Sequence, residues 1–242
     1  MNYDLFSAAY ALIIAFIACV VLGAFVIPKL HNFGQNVRDD GPKSHLKKQG
    51  TPSMGGIFMI GAFAIATLFF VKDNPDAIVV LLITVGYGLV GFLDDYIKVV
   101  KKRNLGLTAK QKLVFQFAIA IAFVVINAFF GYGDTTCIPF AGTVHMGNFA
   151  IIYHIISVIV IVGVVNAVNL ADGIDGLVGS ETFFAAIFYM IISSIMTSPA
   201  TGVLSAAVAG GCLGFLLWNF NPAKVFMGDT GSLFLGGIVC AL

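Results

Sequence analysis

The fold is decided by residues 77–102, which read AIVVLLITVGYGLVGFLDDYIKVVKK. An apolar run continues up to Leu93 and then stops at two adjacent carboxylates, Asp94 and Asp95. Because an α-helix rises about 1.5 Å per residue, a run of this length is about long enough to cross the hydrocarbon core of a bilayer. The pattern predicts a membrane-spanning helix that ends in two aspartates at the membrane surface.

The rest of the chain repeats this pattern. Of its 242 residues, 59% are hydrophobic and 10% are charged, against roughly 25% charged in an ordinary soluble domain, which excludes a water-soluble fold. Seven stretches have the length of a membrane span: Leu5–Ile27, Gly55–Val71, Ala77–Leu93, Leu113–Phe130, Phe149–Val168, Gly176–Met196 and Gly202–Trp218. An eighth begins at Ser232, and the segment from there to Leu242 is too short to cross.

These features predict an all-α polytopic membrane protein, a bundle of transmembrane helices with seven complete spans and the start of an eighth. We expect residues 1–242 to form a single integral membrane domain that is truncated at its C-terminus. The net charge is only +1, and we expect the lipid bilayer, and no nucleic acid, as a partner.

The basic residues predict the orientation. All 13 Lys and Arg residues except Lys72 follow an odd-numbered stretch, so the positive-inside rule places these loops in the cytoplasm and the N-terminus outside. The rule does not apply to carboxylates, yet seven aspartates fall on the same side: Asp39, Asp40, Asp94, Asp95, Asp172, Asp175 and Asp229. The outer loop, residues 131–148, contains no Lys or Arg and is predicted to form a small interfacial hairpin.

A second polar motif is NAVNLADGIDGL, residues 166–177. Its Asn and Asp residues recur every three positions, at Asn166, Asn169, Asp172 and Asp175, so neighbours share one face of a helix. Unpaired polar groups are costly in hydrocarbon, so the pattern predicts a lined cavity. The alternative is a helix cap followed by a turn, since Asn and Asp favour such ends. Asp94 and Asp95 have an alternative too, a simple polar stop at the membrane surface.

Two further motifs lie on the predicted cytoplasmic side. In WNFNPAKVFMGDTGSLFLGG, residues 218–237, the GDTGS segment resembles a phosphate-binding turn with backbone N–H groups free to face an anion; a simple helix start is an equally good interpretation. In SHLKKQGTPSMGG, residues 44–56, His45, Lys47 and Lys48 are positioned to meet phosphates, although topology alone also explains basic residues there. Carboxylates crowded at one face repel unless a cation relieves them, and oxygen ligands suit Mg²⁺. The residues alone therefore predict a metal and phosphate site at the inner membrane face.

Taken together, the motifs GTPSMGG, GFLDDYIKVVKK with GLTAKQK, NAVNLADGIDGL and FNPAKVFMGDTGSLFLGG closely resemble the bacterial phospho-N-acetylmuramoyl-pentapeptide-transferases. These belong to the polyprenyl-phosphate N-acetylhexosamine-1-phosphate transferase superfamily. The resemblance runs in order from about His45 to Gly237. It implies a Mg²⁺-dependent enzyme with ten helices in the bacterial inner membrane. Such an enzyme transfers phospho-MurNAc-pentapeptide from UDP-MurNAc-pentapeptide to undecaprenyl phosphate, and so forms lipid I and UMP in peptidoglycan synthesis. The histidine-rich motif that the family carries further on is absent from this sequence.

The resemblance also implies residue roles. Asp229 matches the magnesium ligand, Asp94 and Asp95 match an essential pair with Asp94 on the lipid phosphate, and Lys112 would face phosphate. Phe226 would stack on the uracil ring. The remaining residues expected to bind substrate are Lys48, Asn169, Asp172, Gly173, Ile174, Asp175 and Asn219.

Several alternatives stay open at this stage. The related GlcNAc-1-phosphate branch shares the aspartate motifs, an ion-coupled transporter would also carry intramembrane Asp and Asn, and the early end at Leu242 is compatible with an inactive fragment or an assembly subunit. Direct attack by the lipid phosphate and a two-step route through an aspartyl-phosphate are both chemically open.

Gly210 and Gly214 form a GxxxG pair, which predicts close helix packing within the bundle or, alternatively, a homodimer.

Overall fold

The structure is a computed structural model that describes residues 5–31, 50–71, 74–99, 106–131, 135–138, 142–196 and 198–242. These residues are mostly helical, as predicted. The helices are α1 (Leu5–Leu30), α2 (Gly56–Val71), α3 (Pro75–Val99), α4 (Ala109–Phe129), α5 (Ala150–Ala171), α6 (Leu177–Ile195), α7 (Pro199–Asn219) and α8 (Gly228–Ala241). Lys47, Lys48 and His45 lie outside the described residues, so their predicted phosphate contacts stay predictions.

Six of the described helices, α1 and α3 to α7, are long and apolar enough to span a membrane. The fold is that of an all-α polytopic membrane protein. The second predicted span corresponds to α2, which has 16 residues and is shorter than a usual membrane span. Its crossing, and the orientation of the bundle, stay predictions. The eighth apolar stretch starts earlier than predicted, because α8 begins at Gly228 and not at Ser232.

The loop between α4 and α5 forms a two-stranded antiparallel hairpin, as predicted for residues 131–148. Its strands are β1 (Thr135–Ile138) and β2 (Gly142–His145), and Thr135 pairs with His145. The hairpin lies at the end of the bundle opposite to Asp94, because α4 begins next to Asp94, where Leu107 bonds to it, and the hairpin follows the other end of α4.

The centre of the bundle is α7, which is buried along most of its length and packs against α1, α2 and α6. Small residues allow this close approach. A Cβ at Gly210 would clash with the Leu12 carbonyl of α1, and one at Gly214 would lie 2.8 Å from the Phe16 carbonyl. The GxxxG pair therefore packs α7 against α1 within the chain, which was one of the two predicted uses.

Helix α8 lies between α3 and α5, with α2 at its side. Its first turn contacts its neighbours through backbone, since a Cβ at Gly91 of α3 would clash with the Asp229 carbonyl and a Cβ at Gly56 of α2 would clash with Gly231. Ordinary side chains would hold these helices further apart. The first turn of α8 is thus fixed directly on α2 and α3, where the motifs meet.

Candidate active site

Asp229 lies at the centre of the polar cluster, in the first turn of α8. Its Oδ2 accepts hydrogen bonds from the ammonium groups of Lys98 and Lys112, each at 2.9 Å. Its Oδ1 accepts one from the Asn169 side-chain amide, also at 2.9 Å. Helices α3, α4, α5 and α8 therefore each supply one side chain, and the bundle brings together residues far apart in the sequence.

Asp94 is buried near the end of α3 and is held from two sides. Its Oδ1 accepts the backbone N–H of Leu107 at 2.7 Å, in the segment that leads into α4. Its Oδ2 forms an ion pair with Lys98, one helical turn further along α3. A Cβ at Gly106 would clash with the Asp94 carboxylate, so the glycine lets the segment before α4 approach it. Asp94 is therefore a fixed carboxylate within the cluster and not a solvated stop at the membrane surface.

Asp95 is only 1% exposed and is used differently from its neighbour. Its Oδ1 accepts the backbone N–H of Asp229 at 3.2 Å, while its Oδ2 accepts the backbone N–H of Thr230 at 2.9 Å and the Thr230 hydroxyl at 2.6 Å. A carboxylate that accepts hydrogen bonds from the first N–H groups of a helix stabilises that helix. Asp95 thus caps α8 from another helix.

This capping corrects one interpretation of the GDTGS segment. Its N–H groups were predicted to be free for a phosphate, but those of Asp229 and Thr230 already bond to Asp95. The alternative of a helix start is the correct one for these two groups. The physical reason is that a buried helix N-terminus needs an acceptor, and the neighbouring α3 supplies one.

The three carboxylates form the metal-compatible group of the described residues. Ligand oxygens of Asp94, Asp95 and Asp229 all lie within 4.8 Å of one another. Hard divalent cations prefer such oxygens, and Mg²⁺ typically binds through one or two protein carboxylates together with substrate phosphates. Because Asp95 is committed to α8, Asp229 and Asp94 are the donors that fit a cation here.

Asn166 and Asn169 form a polar ladder that extends from this cluster into the bundle and bonds to neighbouring helices, while the lined cavity that their spacing predicted stays a prediction. Asn169 accepts from Lys112 at 3.2 Å and donates to Ser232 at 2.7 Å. One turn deeper, Asn166 donates to the side chain of Gln116 at 2.7 Å. Helices α4, α5 and α8 are therefore joined by hydrogen bonds within the bundle.

The expected nucleoside-binding residues form a second group, at the loops after α5 and α7. Asp175 accepts from the Asn221 side chain at 3.3 Å and from the Ala223 backbone at 3.4 Å. Gly173 and Ile174 are exposed. Asp172 ends α5 as its C-cap residue, which matches the alternative of a cap and a turn at that position.

Asn219 is 4% exposed, and its amide bonds within the protein. Its Oδ1 accepts the backbone N–H of Gly176 at 2.8 Å, and its Nδ2 donates to the Val225 carbonyl at 2.9 Å. Both ends of the amide are thus used to join the loop after α5 to the segment before Phe226. The structure gives Asn219 a positioning task that the sequence did not predict.

Phe226 is held by the GTPSMGG segment through backbone pairing. Its N–H donates to the Pro52 carbonyl at 2.8 Å, its carbonyl accepts from Gly55 at 2.9 Å, and Gly56 donates to the Met227 carbonyl at 2.9 Å. The segment therefore supports the loop before α8. Lys48 precedes Gly50 by two residues in the sequence and lies outside the described residues.

Sequence reasoning missed four residues of the cluster: Lys98, Gln116, Thr230 and Ser232. Lys98 carried a usable signal, because it follows Asp94 by four residues on one helix, the spacing of an intrahelical ion pair. Thr230 and Ser232 lie in the GDTGS segment, and Gln116 lies in an apolar helix; only the packing of the helices brings the three to their partners.

Comparisons with known proteins agree with this architecture. Residues 77–242 match the family described as Glycosyl transferase family 4, which defines the class of membrane protein. Residues 48–60 match Phospho-N-acetylmuramoyl-pentapeptide-transferase signature 1, and this segment contains the TPSMGG turn that supports Phe226.

Curated relatives identify the family within this class. Proteins named phospho-N-acetylmuramoyl-pentapeptide-transferase from Bacillus pumilus and Clostridioides difficile are 44% and 48% identical to the chain, over 96% and 100% of its length. One from Bacillus cytotoxicus is 48% identical over 95% of it. The alignments cover 73%, 76% and 72% of these relatives. The chain belongs to the phospho-N-acetylmuramoyl-pentapeptide-transferase family.

Proposed function

We propose that this protein transfers phospho-MurNAc-pentapeptide from UDP-MurNAc-pentapeptide to undecaprenyl phosphate, forming lipid I and UMP. The observation that carries the proposal is the Asp229 cluster, in which two lysines and two further aspartates meet where membrane-spanning helices end. Together with the family membership, this places the reaction at the membrane step of peptidoglycan synthesis. The corresponding location is the cytoplasmic face of the bacterial inner membrane.

The metal-binding residues follow from the donor set. Asp229, with Asp94 beside it, would hold a Mg²⁺ ion, which supplies charge neutralisation on the pyrophosphate when bound. The Lys112 side chain is 16% exposed, and its ammonium group already contacts Asp229. It is therefore positioned to donate to a phosphate oxygen placed next to that carboxylate.

The transfer itself needs positioning more than proton removal. A phosphate monoester has a second pKa of about 6, so the acceptor lipid phosphate is already mostly dianionic at pH 7. Its oxygen attacks the phosphorus attached to MurNAc, the new P–O bond forms, and the bond to UMP breaks in line. Asp94 is proposed to orient the acceptor phosphate. Accumulation of a phospho-enzyme without lipid acceptor would instead support the two-step route.

The nucleoside end of the substrate is assigned to the loops after α5 and α7. Phe226 is proposed to stack on the uracil ring, with Asp175 as its polar neighbour. Support comes from the backbone pairing that fixes Phe226 and from the contacts of Asp175 with the segment before it. The other residues proposed to contact the UDP-sugar are Lys48, Asn169, Asp172, Gly173 and Ile174. Asn219 is proposed to act through the loops that it joins.

Release of UMP by the purified protein in detergent, with undecaprenyl phosphate present, tests the proposal. We expect turnover that requires Mg²⁺ and is lost in Asp229→Asn. The matched control is Asp76→Asn, which makes the same change in the first turn of α3, at the opposite end of the bundle, and should retain activity. Turnover with UDP-GlcNAc but not with UDP-MurNAc-pentapeptide would move the protein to the related branch of the superfamily.

A further inference from the structure

Lys98 touches both carboxylates that fit the metal. Its Nζ donates to Asp229 Oδ2 at 2.9 Å and forms an ion pair with Asp94 Oδ2. Lys112, the other lysine of the cluster, also bonds to Asp229, but its second partner is the neutral side chain of Asn169. Among the residues that the structure describes, Lys98 is thus the lysine that contacts both Asp94 and Asp229.

The Lys98 ammonium contacts the same two carboxylates that a metal ion would use. Mg²⁺ prefers carboxylate oxygens as protein ligands, and Asp94 and Asp229 are the residues that would hold it. Oxygens of the two carboxylates lie within 4.8 Å of one another, and Lys98 already pairs with both carboxylates. Lysine and the divalent ion therefore compete for the same two carboxylates.

We propose that Lys98 is a built-in counter-ion that holds the metal site together in the metal-free protein and leaves it when a divalent cation binds. The inference rests on the proposed metal site. Asp94 is 2% exposed, and two nearby carboxylates removed from water repel one another without a cation between them. Lys98 supplies that cation until the metal replaces it.

The side chain has room to leave. The Lys98 side chain is 34% exposed, against 16% for Lys112 and 3% for Asp94. Its long flexible stem lets the ammonium swing outward while its Cα stays on α3. The displaced ammonium then lies nearer to solvent than it does in the metal-free protein.

The test is the affinity for Mn²⁺, measured by electron paramagnetic resonance of the free ion, on the purified protein in detergent without substrate. Lys98→Met removes the charge and keeps an apolar stem, so we expect a Kd about tenfold lower than that of the wild type, the factor that corresponds to one lost charge-assisted hydrogen bond. The matched control is Lys110→Met. Lys110 is exposed near the start of α4, and the substitution removes the same charge without altering the Kd.

A second variant keeps the test valid if Lys98→Met folds poorly. Lys98→Arg retains the charge, and its planar fork suits two carboxylates better than an ammonium does, so its Mn²⁺ affinity should fall below that of the wild type. A thermal scan adds an independent readout. Lys98→Met without metal should melt below the wild type, and Mn²⁺ should raise its melting temperature by more than it raises that of the wild type.

The outcomes separate the two claims. If the wild type binds Mn²⁺ and Lys98→Met binds it equally or more weakly, the counter-ion role is wrong while the metal site stands. An Arg variant that binds Mn²⁺ as tightly as the wild type, or more tightly, also overturns the counter-ion role. If neither the wild type nor Lys98→Met binds the ion, the metal site of the proposed function fails, and the inference fails with it.

Discussion

The Asp95 carboxylate on α3 accepts both the backbone N–H and the hydroxyl of Thr230 on α8, at 2.9 and 2.6 Å. The same carboxylate accepts the N–H of Asp229. One buried side chain thus sets the position of the helix turn that carries the central carboxylate of the site. This gives the adjacent aspartates different tasks, since Asp94 faces the lysine cluster and Asp95 holds α8.

The first prediction concerns this cap. Asp95→Asn replaces one acceptor oxygen with an N–H₂ group that faces backbone donors, so the variant should lose about 1–3 kcal/mol of stability together with turnover. Thermal denaturation and UMP release measure the two effects. Thr230→Ser keeps the hydroxyl and is the matched control that should stay close to the wild type. An Asp95→Asn protein as stable as the wild type but inactive would instead give Asp95 a direct role in the reaction.

The two aspartates also show what the sequence could predict. Hydropathy located the helices, and the gathering of polar motifs at helix ends predicted that Asp94, Asn169 and Asp229 lie at one face. The resemblance to the family added Lys112 to this site. Adjacent residues on a helix point about 100° apart, so only the packing of α8 decides which carboxylate faces the lysines and which one caps a helix. That packing depends on Gly91, whose small size mattered only once α8 was placed against α3.

The second prediction concerns Asn219. Asn219→Ala removes both hydrogen bonds that join the loop after α5 to the segment before Phe226, so two buried backbone groups, the Gly176 N–H and the Val225 carbonyl, lose their partners. We expect a rise in KM for the UDP-sugar with a smaller change in kcat, because the nucleoside loops shift while the Asp229 cluster stays in place.

Stability without substrate distinguishes this positioning role from direct contact. Loss of the buried bonds should lower the free energy of unfolding by about 1–3 kcal/mol. Asn221→Ala, which removes only an exposed contact with Asp175 at 3.3 Å, is the control and should leave stability unchanged. An Asn219→Ala protein with raised KM and wild-type stability would show that the amide meets the substrate itself.

The third prediction concerns the paired amides of Gln116 and Asn166, one turn below Lys112 and Asn169. Gln116 is fully buried, and the two side chains exchange hydrogen bonds at 2.7 and 3.4 Å between α4 and α5. In Gln116→Leu, the Asn166 Nδ2 keeps its hydrogen bond to the Val162 carbonyl, but the Asn166 Oδ1 loses the donor that Gln116 supplied. This variant should therefore be destabilised, and the displacement of α4 should reduce turnover through Lys112.

A double-mutant cycle measures the pair. Because replacing both partners with apolar groups leaves no buried polar atom unpaired, Gln116→Leu combined with Asn166→Leu should be more stable than the sum of the single changes predicts, with a coupling of about 0.6–2 kcal/mol. Ser157→Ala is the control, since its hydroxyl donates to the Tyr153 carbonyl of the same helix. Additive effects in the cycle would show that the amides do not join α4 to α5, and the position of Lys112 would then need another support.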